Sequence, residues 1–317
     1  MNHREIPRLI RTLRHLRSEQ LIGRARRMLR SEVTPIPVSS PPPTLRVREP
    51  LAPYLGPPDH VSWKGPGRIR LINREVRFRD GIDWDFTGEG PLWAYHLHQF
   101  DWARCPELSP QDRLGAMLDW VERHPRGIGW DAGPISLRTF SWVKLLTTPG
   151  ALPDDPQSRA AIYASLASQL ATLARNLEVH LLANHYLWNL LALVLAGVAF
   201  EGEEADRWLG HESALRGQLE EQVLSDGAHY ERSPMYHSLL LENLLDLVNA
   251  VASAPGRCSE ALLSLLRAKA SQMLGALRVW THPDGEIALF GDSALGIAQT
   301  PPDLEHYAAG LEGRIQA

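Results

Sequence analysis

Cysteine is scarce: Cys105 and Cys258 are the only two in 317 residues. They form no C-x-x-C or other metal spacing, which argues against a disulfide framework and against a cysteine-built zinc site, and the pair is expected to stay unbonded. Lysine is nearly missing too, with Lys64, Lys144 and Lys269 the only three among 33 basic residues. Long apolar runs are lacking. The best candidate, Leu187 to Phe200, falls short of the ~20 residues that a membrane span needs. Arg8, Arg11, Arg14 and Arg17 interrupt every stretch that would serve as the apolar core of a secretory signal, so a soluble, cytoplasmic chain is expected. What is present, 44% hydrophobic and 22% charged residues, excludes disorder throughout.

The net charge of −4 hides an asymmetry, because residues 1–30 hold nine Arg against Glu5 and Glu19, a local +7. The remainder is therefore acidic. Ile6, Leu9, Ile10, Leu13, Leu16, Leu21, Ile22 and Leu29 recur at helical spacing among these arginines and predict an amphipathic helical arm over residues 1–34. Docking on the acidic body is favoured for this arm over anionic lipid or nucleic acid, and no nucleic-acid partner is expected. Pro35 to Pro58 contains nine prolines and reads as a linker or wrapped extended segment, with short strands at Ile69–Ile72 and Glu75–Phe78. Together they define a stretch of 35–90.

From residue 91 to 317 the pattern is almost wholly helical. The spacing predicts helices over Gln111–Arg123, Ser136–Leu146, Gln157–Asn176, Leu177–Phe200, Glu203–Leu209, Ser213–Leu224, Met235–Ala252 and Glu260–Trp280. Short loops between long helices imply antiparallel neighbours, an all-α array that periodicity alone leaves open as toroid or solenoid.

Two clusters carry chemistry. In the first, Glu178, His180, Asn184, His185 and Asn189 crowd the start of an apolar helix. They cannot all be buried without partners, at roughly 1–3 kcal/mol each, so a wet cleft is expected there. Taken alone, the Asn184-His185 pair also reads as a structural polar cluster. His180 and Asn184 are four apart, but no acid-rich set accompanies them, so no metal or cofactor is expected. The second cluster is Asp226-Gly227-Ala228-His229-Tyr230-Glu231-Arg232-Ser233-Pro234-Met235-Tyr236-His237. Asp-Gly makes a reversal, and Ser233 with Pro234 reads as an N-cap and first helical position, which sets Tyr236 and His237 in the first turn. Arg232 is expected to lower the Tyr236 pKa, although such a tyrosine also serves as a packing or capping residue.

The ordered set Glu178-x-His180-x-x-x-Asn184-His185, Ala196-Gly197 and Asp226 to His237 resembles the N-terminal helical domain of the heparinase II/III polysaccharide lyases. Ile128-Gly129-Trp130, Ser136-Leu137-Arg138 with Trp142, Leu92 to Asp101, and Leu289-Phe290-x-Asp292-Ser293 support it. The resemblance implies an incomplete (α/α) toroid and an eliminase for a uronic-acid glycan. Asn184 would neutralise the uronate carboxylate, Tyr236 would act at the scissile C4–O bond as acid and sometimes as base, and His185 with Arg138 would bind or polarise the sugar acid. Trp130, Glu178, Trp188, Tyr230, Glu231, His237 and Asp292 complete the expected substrate-binding set. The family's β-sandwich domain, which commonly supplies a histidine base, is not expected within a sequence that stops at Ala317; either it was lost, leaving a remnant of a lyase, or a partner supplies it, or the reading frame is broken. The resemblance also admits a periplasmic or secreted protein. Two other readings stay open: a noncatalytic glycan-binding or scaffold toroid, and a hydrolase that pairs carboxylates from Glu178, Glu231 and Asp292.

Overall fold

The computed structural model describes residues 33–47 and 49–315; the helical arm expected over 1–34 lies outside these except for its last two residues. Ten α-helices occur among the described residues: α1 Pro91–Gln99, α2 Pro110–Arg123, α3 Ala132–Thr147, α4 Pro156–Arg175, α5 Ala183–Ala199, α6 Glu203–Leu209, α7 Glu212–Gln222, α8 Pro234–Ser253, α9 Glu260–Val279 and α10 Pro301–Ile315. Sequence chemistry fixes several starts. Ser109, Asp155, Ser233 and Ser259 each accept a backbone N–H of the first turn, and in the first three cases proline follows at the first helical position.

α5 is apolar on all sides from Leu190 to Ala199 and is buried on all sides, the arrangement such a helix requires. It packs between α3 and α8, with α1 beyond α3 and α9 and α10 beyond α8, while α4, α6 and α7 cover its outer side. This succession forms an incomplete (α/α) toroid with no closed sheet or barrel among the described residues. Gly197 allows α6 to come close: a Cβ there would lie 2.7 Å from Leu209 Cγ and 3.0 Å from the Ala205 carbonyl oxygen.

The proline-rich segment wraps the body. The Ile36 N–H donates to Thr172 Oγ1 (2.9 Å), Ser168 Oγ donates to the Ile36 carbonyl (2.7 Å), and β1 Thr44–Leu45 pairs antiparallel with β5 Phe200–Glu201. Strands β2 Ser62–Trp63, β3 Arg68–Leu71 and β4 Arg74–Arg77 form a small antiparallel sheet; Ile72 and Asn73, both at positive φ, make its tight turn. Two helices, α1 and α10, have no named counterpart in the sequence reading. The helix expected from Leu177 begins only at Ala183, because residues 177–182 form a loop that ends at Leu182 with φ 60° and ψ −150°.

A buried polar network joins α3 to α8. Lys144 Nζ lies 2.9 Å from Glu242 Oε1 and 2.5 Å from Asp246 Oδ2, and Tyr307 Oη donates to Asp246 Oδ1 at 3.1 Å. It stands apart from the two sequence clusters and ties helices together through the core.

Candidate active site

The first cluster lies on the 176–182 loop and the opening turns of α5, the second on the 223–233 loop and the opening turn of α8. They meet at Glu231. Its carboxylate accepts the Asn184 side-chain amide through Oε2 at 3.1 Å and the Asn184 backbone N–H through Oε1 at 3.5 Å. A carboxylate at this place also complements the positive end of α5. Backbone strain flanks the contact on both segments: Leu182 (φ 60°) and Ala183 (φ 54°) precede Asn184, and Arg232 (φ 53°) follows Glu231. Non-glycine residues occupy this region only at a cost of order 1–3 kcal/mol. The Gln222 amide steadies one side by donating to the Ala183 carbonyl at 2.9 Å.

Aromatic rings bridge the remaining distance. The His185 ring stands 6.3 Å from that of Trp188, and Trp188 stands 6.4 Å from that of Tyr236. Asn184, His185, Trp188, Glu231 and Tyr236 are thus neighbours, with Asp292 from the segment before α10 close enough for its charge to act on both Tyr236 and Glu231. The Ser233 hydroxyl donates to the Asp292 carbonyl at 3.3 Å and fixes that segment against α8. The Tyr230 ring packs edge-on to His229 at 5.1 Å.

Charges and burial set the protonation states. Burial first, then the Asp292 and Glu231 carboxylates, push the Tyr236 phenol above its ordinary value, so it is held protonated. The expected depression by Arg232 does not occur: Arg232 is exposed, and the charges that act on the phenol are negative. Burial likewise raises Glu231, against hydrogen bonding from Asn184 and the His185 charge. Burial raises Glu178 as well, yet the facing His185 and the Asn189 amide outweigh it and leave the carboxyl below its ordinary value. His185 is raised, chiefly by Glu178, against its partial burial.

Three residues expected to line the cleft belong to the core instead. Arg138 is fully buried: Nε donates to Gln169 Oε1 (2.8 Å), NH1 to the His98 carbonyl (2.8 Å) and NH2 to the Gly129 carbonyl (2.9 Å), with the guanidinium 4.0 Å from the centre of the Trp120 ring. Three of its five N–H donors are spent on the core, and the side chain has no exposed surface to offer a sugar. Trp130 is buried with its indole N–H on the His124 carbonyl at 2.8 Å. His237 is fully buried, Nδ1 accepting the His229 backbone N–H at 3.2 Å and Nε2 bonding the Met273 carbonyl at 2.9 Å, which makes it a brace between α8 and α9. Asn189, expected to line a wet cleft, is instead fully buried and, with Ser136 and Gln222, which sequence reading gave no role, holds the clustered residues from behind. The signal for Asn189 was there: an amide inside a helix otherwise apolar around it.

The sequence model described as heparinase II/III N-terminus matches residues 158–307, which contain Asn184, His185, Glu231 and Tyr236. The chain carries a heparinase II/III N-terminal domain. In fold, the heparinase-type domain is similar to a heparinase III crystal structure (TM-score 0.56, 19% identity, covering 74% of this chain and 39% of that one). A mutant of the heparan sulfate lyase HepC from Pedobacter heparinus gives a TM-score of 0.50 at 20% identity, over 74% and 39%. Among curated proteins, the chain is 30% identical over 265 residues to FtsZ-localized protein C of Caulobacter vibrioides, covering 80% of this chain and 44% of that protein. The chain therefore spans less than half the length of the relatives it matches. No helix among the described residues is long and apolar enough to cross a membrane.

Proposed function

We propose that the groove shared by Asn184, His185 and Tyr236 takes the uronic-acid unit of an acidic polysaccharide or oligosaccharide and takes part in its cleavage by β-elimination. The observation that carries this reading is the contact between the two clusters through Glu231, which brings an amide, an imidazole and a protonated phenol to one place. Elimination needs these types. Asn184 and His185 donate to the sugar carboxylate and stabilise the enolate that develops when the C5 proton leaves. Tyr236, kept as a phenol by its surroundings, gives its proton to the O4 leaving group as the C4–O bond breaks and the C4–C5 double bond forms. Because those surroundings disfavour phenolate, the C5 proton goes to a different base, carried in this reading by a β-rich domain or chain that closes the groove. Trp188, Tyr230, Glu231 and Asp292 complete the sugar-binding surroundings, with Glu178 buried behind His185.

A second reading has its own support. The curated relative is named for its localisation to FtsZ and not for cleavage of a glycan, which favours a noncatalytic glycan-binding or scaffold toroid. Incubation of the protein with a panel of uronic-acid polymers, alone and with a heparinase-type β-sandwich domain added in trans to supply the base, separates the readings. Absorbance of an unsaturated uronate, lost in Tyr236→Phe, supports elimination; new reducing ends without it mean hydrolysis. Saturable binding with neither product is the outcome expected of the scaffold.

A further inference from the structure

His185 reaches the groove half exposed, whereas the carboxylate behind it is buried and held on every side. Glu178 Oε1 lies 3.6 Å from His185 Nδ1. Its other oxygen, Oε2, accepts the Asn189 amide at 3.1 Å, and its backbone N–H donates to Asn189 Oδ1 at 2.8 Å. The same Asn189 amide donates to Ser136 Oγ at 3.0 Å, and the Ser136 hydroxyl donates to the Ala132 carbonyl at 2.8 Å. A chain of fixed partners therefore runs from the wall of α3, through the second turn of α5, to an imidazole at the surface.

We infer that Glu178 is a positioning residue for His185, holding the imidazole with its proton on Nδ1 so that Nε2 points away from the carboxylate and into the groove. The ligand role given to His185 rests on the function proposed above; the placement of its proton does not. In the neutral ring this tautomer leaves Nε2 as an acceptor, and in the cation Nε2–H becomes a donor for an anionic sugar. Glu178 faces the ring from the preceding loop and Glu231 from the loop before α8; both favour the cation, Glu178 more strongly, while partial burial opposes it. His180, on the same loop as Glu178, acts on that carboxylate. The arrangement predicts binding of a uronate that weakens as pH rises through the His185 midpoint.

The test is a nuclear magnetic resonance titration of the His185 ring nitrogens in the full chain, for wild type, Glu178→Gln and Glu231→Gln. Wild type should titrate above the ordinary histidine value of about 6.5, with the neutral form protonated on Nδ1. Glu178→Gln should lower proton affinity about tenfold, the size of one pKa unit, and Glu231→Gln by less. An unchanged midpoint in Glu178→Gln, or a neutral ring protonated on Nε2 in wild type, overturns the assignment. Should Glu178→Gln fail to fold, the wild-type curve decides alone: a midpoint at or below the ordinary value overturns it, and one above it with the Nδ1 tautomer supports it. Titration with an unsulfated glucuronate-containing tetrasaccharide forms a separate arm. Absence of binding there would remove the ligand reading and leave the tautomer result standing.

Discussion

Replacing Arg138 with Met should damage the fold and spare the groove. The guanidinium makes three charge-assisted hydrogen bonds, to Gln169, His98 and Gly129, and stacks on Trp120 at full burial. Each such bond contributes roughly 1.5–3 kcal/mol, and the substitution orphans three buried acceptors. Against that stands the desolvation of the guanidinium itself, strong enough to depress its pKa well below the ordinary value. Each buried acceptor left without a donor costs about 1–3 kcal/mol, and with that desolvation offsetting part of the sum Arg138→Met is expected to lose about 3–5 kcal/mol. Arg138→Lys keeps the charge but not the three-way fork, and should recover only part of the loss. Urea unfolding followed by circular dichroism, with the slope of the transition held equal between variants, reads the difference. A loss under about 1 kcal/mol, or loss of sugar binding at unchanged stability, would refute the placement of Arg138 in the core and return it to the cleft.

Acid should unfold the protein through its buried histidines. His229 and His237 are fully buried, and burial pushes both down to about 4, assisted for His229 by the neighbouring His237. The unfolded chain titrates near 6.5, so the stability these rings confer is complete above that pH and is lost as pH falls from 6.5 towards 4, by up to about 3 kcal/mol each. Denaturant midpoints that stay flat between neutral pH and pH 4.5 would contradict this. Gly197→Ala should destabilise by about 1–3 kcal/mol despite its better helix propensity, since the added methyl meets the backbone of α6; a raised melting temperature would show that α5 and α6 are not so close. Ser233→Ala removes the cap of α8 and its hold on the 290s segment, for a loss of about 1 kcal/mol in the same assay.

Much of the helical order was legible because its punctuation is chemical. Glu203–Leu209 was bounded correctly, and α8 begins where Ser233 and Pro234 said it would. The start of α5 was misread because hydrophobic spacing does not register a backbone turn such as the one at Leu182, with φ 60° and ψ −150°, that separates residues 177–182 from the helix. α1 escaped because Trp93, Tyr95, His96 and His98 break a simple apolar stripe; its buried face includes His98 and Gln99 beside Trp93. In the candidate site, the two polar clusters were visible as interruptions of apolar helices, and they do touch. Arg138 and His237 were drawn into that site because a charged or polar residue in a matching motif looks like a cleft residue; the carbonyls that absorb them, at His98, Gly129 and Met273, have no sequence signature. The sign of the Tyr236 shift was missed for a related reason. Arg232 is next door in sequence, whereas Asp292 arrives from a segment far along the chain.

The central claim, that Asn184, His185 and Tyr236 form one uronate-binding groove, is tested most directly by mapping where a uronic-acid oligosaccharide binds. The measurement is a chemical-shift titration of the protein with an unsulfated tetrasaccharide, read at the Trp188 indole N–H, the Asn184 amide and the His185 ring. The account predicts saturable shifts at all three together, weakened at least tenfold in Asn184→Ala, the loss expected when a donor to a charged ligand group is removed at about 1.5–3 kcal/mol. Shifts confined to other faces of the toroid, or binding indifferent to Asn184→Ala, would contradict it.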